Sequence, residues 1–162
     1  MLTVERVREL FIYEKETGLL RWAVKRQRIS IGKIVGSKSS NGYLKVGIDF
    51  KNHFVHRIVW MVFHGEIPSN VIDHINGNKS DNRIENLRIA SPTLNNVNRH
   101  MFKNKCGLRG IKQSSSGKWQ AAIKINRKSK YLGTFPSKEE AYEAYKNAAN
   151  TIFGEFVHST MK

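Results

Sequence analysis

The stretch 71-VIDHINGNKSDNRIENLRIASPTLNNVNR-99 decides how this chain is read. An apolar pair, Val71-Ile72, runs into an acid and an imidazole, Asp73-His74. A polar loop follows over 76–82, and Leu87-Arg88-Ile89-Ala90 returns as a second apolar run. Short apolar runs bounded by turn residues read as strands. Ser91-Pro92 then opens a helix. Ser suits the N-cap, and Pro suits the first helical position, where its missing N–H has no partner to lose. The expected unit is a strand at 71–74, a tight loop, a strand at 87–90 and a helix from 91 to 99, a ββα arrangement.

The residue types in this unit carry a chemistry. Neighbours on a strand face opposite ways, so at a strand end one of Asp73 and His74 can face a metal and the other a water. Asp73 and Asn95, the latter on the expected helix, offer hard oxygen donors. Such donors suit Mg²⁺, which takes one or two protein ligands and keeps several waters. A neutral His74 can accept a proton from an attacking water. A metal there would stabilise charge on a phosphate. The plainer alternative is a turn-forming Asn/Asp loop, with Asn76-Gly77 only a turn signal and His74 structural. Residue type and spacing leave both open.

Working outward, the pattern predicts an α+β protein. Thr3 caps a helix over 3–11, with Val4, Val7, Leu10 and Phe11 at helical spacing. Residues 11–13 and 19–22 flank Thr17-Gly18 as a hairpin. Asn41-Gly42 turns into a strand over 43–48, Lys51-Asn52 is expected to turn again, and 56–64 reads as a helix ended by Gly65 and Pro68. Residues 100–106 read as a linker. Beyond it, 107–113, 119–126 and 130–135 read as strands, with turns at 114–117 and 127–129. Ser137 and Glu140 form a capping box for a final helix.

Charge narrows the partner. The 162 residues hold 28 Lys and Arg against 13 Asp and Glu, a net of +15. Residues 1–100 carry +7 and 101–162 carry +8, so both halves favour a polyanion. No run of about 18 apolar residues reads as a membrane span. The charged N-terminus lacks signal-peptide features. One cysteine, Cys106, makes neither a disulfide nor a cysteine zinc site. A cytoplasmic, reducing setting is expected.

IDHINGNKSDNRIENLR, with HRIVW upstream and NNVNR downstream, resembles the HNH endonucleases of bacteriophages, including homing enzymes, over about residues 43–99. The resemblance implies that His74 is the general base and that Asn86 is the central Asn bracing the loop. It makes Asp73 and Asn95 the ligands of Mg²⁺ or another divalent ion such as Mn²⁺. Asn replaces His at the third motif position, an HNN variant, and Asn96 is the neighbouring alternative for that ligand. The zinc-binding CxxC pairs of many relatives are missing, so no zinc is expected. Arg57, in the same pattern, would contact phosphate. His56 would either touch the metal-site shell or DNA, or start a helix. Residues 1–42 are an N-terminal extension of open role.

In the C-terminal part, Lys112, Lys124 and Lys130 fall on expected strands with Trp119 and Tyr131 among them. A basic sheet of this kind either enters a major groove or is simply a solvated face. LRGIKQSSSGKWQAAIKINRKSKYLGTFPSKEEAYEAYKNAANTIFGEF is similar to the AP2/ERF DNA-binding domain over about residues 107–157. That likeness implies a three-stranded antiparallel sheet on one helix, with Arg109, Lys112, Trp119, Lys124 and Lys130 as DNA contacts. Trp119 is equally a core candidate. The implied protein is a metal-dependent endonuclease acting on double-stranded DNA in a phage-infected host, with no membrane partner. A monomer is compatible with it. The alternative is a non-catalytic, sequence-specific DNA-binding regulator whose nuclease half has decayed.

Overall fold

A computed structural model describes residues 2–97 and 106–157. It divides into two compact units, Met1–Ser91 and Pro92–Lys162.

In the first unit, α1 (Val4–Leu10) is capped by Thr3, whose hydroxyl accepts from the Arg6 N–H at 3.2 Å. β1 (Phe11–Glu14) and β2 (Leu19–Trp22) form an antiparallel hairpin. β3 (Ser37–Lys38), β4 (Leu44–Ile48) and β5 (Lys51–Phe54) form a second antiparallel sheet in that order. α2 (Val55–His64) follows and ends at Gly65, which is left-handed. β6 (Val71–His74) and β7 (Leu87–Ala90) pair antiparallel, with Asp73 opposite Arg88 and His74 opposite Leu87. One core joins these pieces. Val7, Leu10, Phe11, Leu20, Trp22 and Val35 from the first 42 residues are buried with Ile48, Ile58, Val59, Ile72 and Leu87. The extension therefore supplies much of the apolar area, the dominant favourable term in folding, that the β6–β7 pair packs upon.

In the second unit, α3 (Pro92–Val97) is short. β8 (Ile111–Gln113), β9 (Trp119–Ile125) and β10 (Lys128–Phe135) form an antiparallel sheet with β9 central. α4 (Lys138–Phe153) is capped by Ser137, whose hydroxyl accepts from the Glu140 N–H at 3.2 Å. It packs Ala141, Tyr145, Ala149 and Phe153 against Ile111, Ala121 and Ile123. Gly110 lies flat on this core. A Cβ there would sit 2.0 Å from the Tyr145 ring, and its φ of +76° suits glycine.

Three expectations are corrected. The turn foreseen at Lys51-Asn52 lies at Asp49-Phe50, two successive left-handed residues with φ of 48° and 61°. That pair gives the twist a two-residue hairpin needs, so Lys51 and Asn52 are already in β5. The turn foreseen at 127–129 lies at Asn126-Arg127, φ 46° and 67°, for the same reason. The strand foreseen at 107–113 shrinks to β8, because Gly107 and Gly110 both have positive φ and break the extended run. The end of the helix at Arg99 and the linker at 100–105 lie outside the described residues.

Candidate active site and nucleic-acid surface

β6 delivers two ionisable groups into the interior of the first unit. Asp73 is 4% exposed and His74 3%. A buried carboxylate needs a partner, and the cross-strand register supplies Arg88. Its Nε and Nη2 donate to Asp73 Oδ2 at 2.9 and 2.8 Å. His74 Nε2 is 3.1 Å from Asn82 Oδ1. Since the amide oxygen only accepts, this geometry puts the proton on Nε2 and makes Nδ1 the basic nitrogen. Burial pushes the His74 pKa down, while the Asn82 hydrogen bond and the Asp73 charge pull it up. The net shift is downward, so the ring is neutral near pH 7, as a base must be.

Asn82 is itself 2% exposed and is held from a distance in sequence. The Tyr13 hydroxyl on β1 donates to the Asn82 carbonyl at 3.2 Å and accepts from the Ile84 N–H at 2.8 Å. Gly18, at the β1–β2 turn, lies against the same backbone. A Cβ there would be 2.5 Å from Arg83 N and 2.8 Å from the Asn82 carbonyl carbon. The hairpin of the extension thus abuts the loop that holds His74.

That loop is fastened throughout. Asn86 Oδ1 accepts from the Asn76 N–H at 2.9 Å, and its Nδ2 donates to the Asp81 carbonyl at 2.8 Å. One amide therefore spans the loop between β6 and β7. Asp81 takes the Arg83 Nε and Nη2 at 2.9 and 2.7 Å and the Asn76 amide at 2.8 Å. The Arg83 guanidinium and these hydrogen bonds hold its carboxyl down at about 2. Lys79 donates to the Asn41 carbonyl at 2.8 Å, tying the loop to the turn before β4.

A ring cluster walls His74. The His56 and His74 ring centroids are 5.1 Å apart, edge to face. Phe54 stacks on His56 at 5.3 Å, and Tyr43 meets Phe54, His56 and His74 at 5.3, 5.2 and 5.8 Å. His56 is 6% exposed, and its Nδ1 has no hydrogen-bond partner among the described residues. Burial first, then electrostatic interaction with His74 and Arg57, depresses its pKa to about 3.

Among the described residues, no three His, Cys, Asp or Glu side chains gather as a metal cage. Asp73 is a hard oxygen donor of the kind suited to an ion that keeps most of its waters. Asn95 sits on α3, in the second unit, half-buried. Arg57 donates to the Asn70 and Pro68 carbonyls at 3.0 and 3.3 Å, a tie to the loop before β6.

The sheet of the second unit sorts its expected DNA contacts by register. Residues directly opposite on paired strands share a face. Lys112 pairs with Gln120, Lys124 with Ser129 and Ala122 with Tyr131, so Lys112 and Lys124 share one face with the exposed ring of Tyr131. Lys130 pairs with the buried Ile123, and Trp119 alternates with the buried Ala121 and Ile123. By register Lys130 and Trp119 lie on the other face, where Lys130 is exposed. Trp119 is partly buried against the core there. Arg109, just before β8, donates to the Asn96 carbonyl at 3.4 Å.

The sequence reading missed Asn82, Tyr13, Arg88 and Asp81. Arg88 had a signal, since a buried acid on one strand calls for a cation opposite it. Asn82 had none beyond its place in the loop, because its partner is set by the three-dimensional closure of that loop.

A family model described as HNH endonuclease matches residues 53–97. The chain is 33% identical over 118 residues to an uncharacterised HNH endonuclease, L560, of Acanthamoeba polyphaga mimivirus, covering 72% of this chain and 61% of that protein. It is 46% identical over 52 residues to dehydration-responsive element-binding protein 2A of Arabidopsis thaliana, covering 31% of this chain and 16% of that one. The chain thus spans less than two thirds of the length of either relative. The solved structure of the HNH homing endonuclease I-HmuI aligns over 95% of this chain and 90% of that one, at 20% identity and a TM-score of 0.46.

Proposed function

The chain carries a domain of the HNH endonuclease family at residues 53–97, and from that premise we propose that it hydrolyses phosphodiester bonds of double-stranded DNA with a divalent ion, Mg²⁺ or Mn²⁺. The observation that carries the reading is His74, buried, neutral and fixed by Asn82, next to the carboxylate of Asp73. In this reading His74 takes the proton of the attacking water at Nδ1. Asn82 keeps the opposite nitrogen protonated, so the ring cannot present the wrong tautomer. Asp73 and Asn95 would hold the ion, and Arg88 fixes the Asp73 carboxylate. Such an ion, when bound, supplies positive charge for the phosphate and the leaving oxygen. Asn86 keeps the loop closed and touches no reacting atom. Arg57 is assigned to holding the loop at 68–70 rather than to DNA, since its guanidinium is taken up by carbonyls there.

The second unit is assigned the role of an AP2-like DNA-binding module, read over residues 107–157. The face bearing Lys112, Lys124 and Tyr131 meets the duplex, and Arg109 flanks it. Targeting by a separate surface is sensible, because an active site that grips phosphate reads little sequence. The test is supercoiled plasmid incubated with the protein in Mg²⁺ or in EDTA. Nicked or linear product in Mg²⁺ alone is expected. Intact plasmid under both conditions, with DNA binding retained, favours the non-catalytic regulator instead.

A further inference from the structure

The β4–β5 hairpin carries a residue that the cleavage reading leaves unused. Phe50 sits at the apex of the turn with φ of 61° and is 110% exposed. Both facts cost free energy. A bulky side chain at positive φ is a conformational outlier, and Asn-Gly is the pair such a turn favours. A fully exposed phenyl ring contributes nothing to the core. Strain retained at an exposed apolar tip marks a candidate functional position.

The hairpin also has a direction. Val46 and Ile48 of β4 are buried, so Tyr43, Lys45 and Gly47 alternate onto the opposite face. Register adds Phe54, opposite Lys45, and Asn52, opposite Gly47. This face begins in the ring cluster at His74, where Tyr43 and Phe54 lie. Lys79 stands over the Tyr43 ring at 4.8 Å and Lys45 over the Phe54 ring at 5.0 Å. It continues past Gly47, where an added Cβ would meet nothing within 4 Å, to the tip. Four residues of strand span roughly 13 Å, the length of about four base-pair steps at ~3.4 Å each. A duplex placed with a phosphate at His74 therefore runs along a lysine-flanked, flat strand face and meets an unshielded ring at its end.

We propose that Phe50 is a wedge that inserts between base pairs of the bound duplex, a few steps from the scissile phosphate, and locally unwinds it. Apolar side chains presented beside basic ones unstack base steps in this way, and the unstacking is offset by added protein–DNA contact. The proposal rests on the DNA-cleavage reading and deepens it, since it names how that substrate is deformed.

The test uses the full chain, EDTA to prevent cutting, and closed-circular plasmid relaxed by a metal-independent topoisomerase. Gel shift on the same plasmid measures binding separately. Wild-type protein is expected to leave the plasmid unwound, as a shifted topoisomer ladder after deproteinisation. Phe50→Asn is expected to bind the plasmid and lose the shift, and Phe50→Trp to keep it. Phe50→Asn is also expected to melt no lower than wild type, because Asn tolerates positive φ. A ladder shifted equally by wild type and Phe50→Asn at equal occupancy overturns the wedge. So does wild-type binding with no shift, a Phe50→Asn variant that melts several degrees lower, or a wild-type dimer that Phe50→Asn abolishes. Failure of wild type to bind plasmid at all overturns the cleavage reading and the wedge with it.

Discussion

Asn82 shows what a single side chain contributes to this site. It is the buried acceptor for His74 Nε2, and Tyr13 in turn holds its carbonyl. Asn82→Ala is expected to lower kcat by part of the ~10²- to 10⁴-fold that a general base supplies, with KM little changed, and Asn82→Asp to restore part of it by accepting the same hydrogen bond. Tyr13→Phe strips partners from the Asn82 carbonyl and the Ile84 N–H, at a cost of about 1–3 kcal/mol of stability, read by thermal melting. An Asn82→Ala enzyme with unchanged kcat would remove this residue from the mechanism. His56 gives the pH dependence. Its ordinary pKa of 6.5 applies in the unfolded chain, and burial brings it to about 3 when folded. Between those values the unfolded state binds the extra proton, so stability falls as pH drops from 6.5 towards 3. Acid unfolding of His56→Phe, which keeps a ring on Phe54, is expected to show a shallower slope over that window. An unchanged slope would place the acid sensitivity elsewhere. His74, Asp73 and Asn86 were all legible as candidates because the sequence packs them into one short motif. Asn82 and Tyr13 were not, since their meeting depends on residues 69 apart in the chain closing upon each other.

At the scale of elements, β6 and β7 were read to the residue because apolar runs bounded by turn chemistry leave little choice of register. α2 and α4 followed from helical periodicity and, for α4, from the Ser137 cap. The hairpin turns were read one or two residues late. The Asp49-Phe50 and Asn126-Arg127 pairs lack the glycine that usually announces positive φ. β3, two residues long, has no pattern of its own and exists only because β4 offers it an edge. The β1–β2 hairpin illustrates how an element acts at a distance. Gly18→Ala adds a methyl 2.5 Å from Arg83 N, against backbone that cannot yield as a side chain can. Its φ of +72° adds strain. The variant is expected to displace the Asn82–Arg83 segment and lose both cleavage and some thermal stability. Wild-type activity in Gly18→Ala would show that the hairpin does not set the loop.

For the whole molecule, sequence and structure agree on an α+β chain with two cores, and they differ on what the first 42 residues do. They read as an extension by pattern, yet they supply Val7, Leu10, Phe11, Leu20 and Trp22 to the core under the site. No local signal could show this, since packing partners lie far along the chain. No described helix is long and apolar enough to cross a membrane. The division of labour proposed for the two units has its own test. A fragment of residues 92–162 is expected to bind duplex DNA without cutting it, with log affinity falling by ~0.9 per log salt for each phosphate neutralised. A fragment that fails to bind, or binds independently of salt, would move targeting to the first unit.

The most direct measurement is plasmid cleavage by His74→Ala beside wild type, in Mg²⁺, with binding of each measured by gel shift. The account predicts cleavage slowed by about 10²- to 10⁴-fold with binding retained. Cleavage by a clean His74→Ala preparation at the wild-type rate would contradict it.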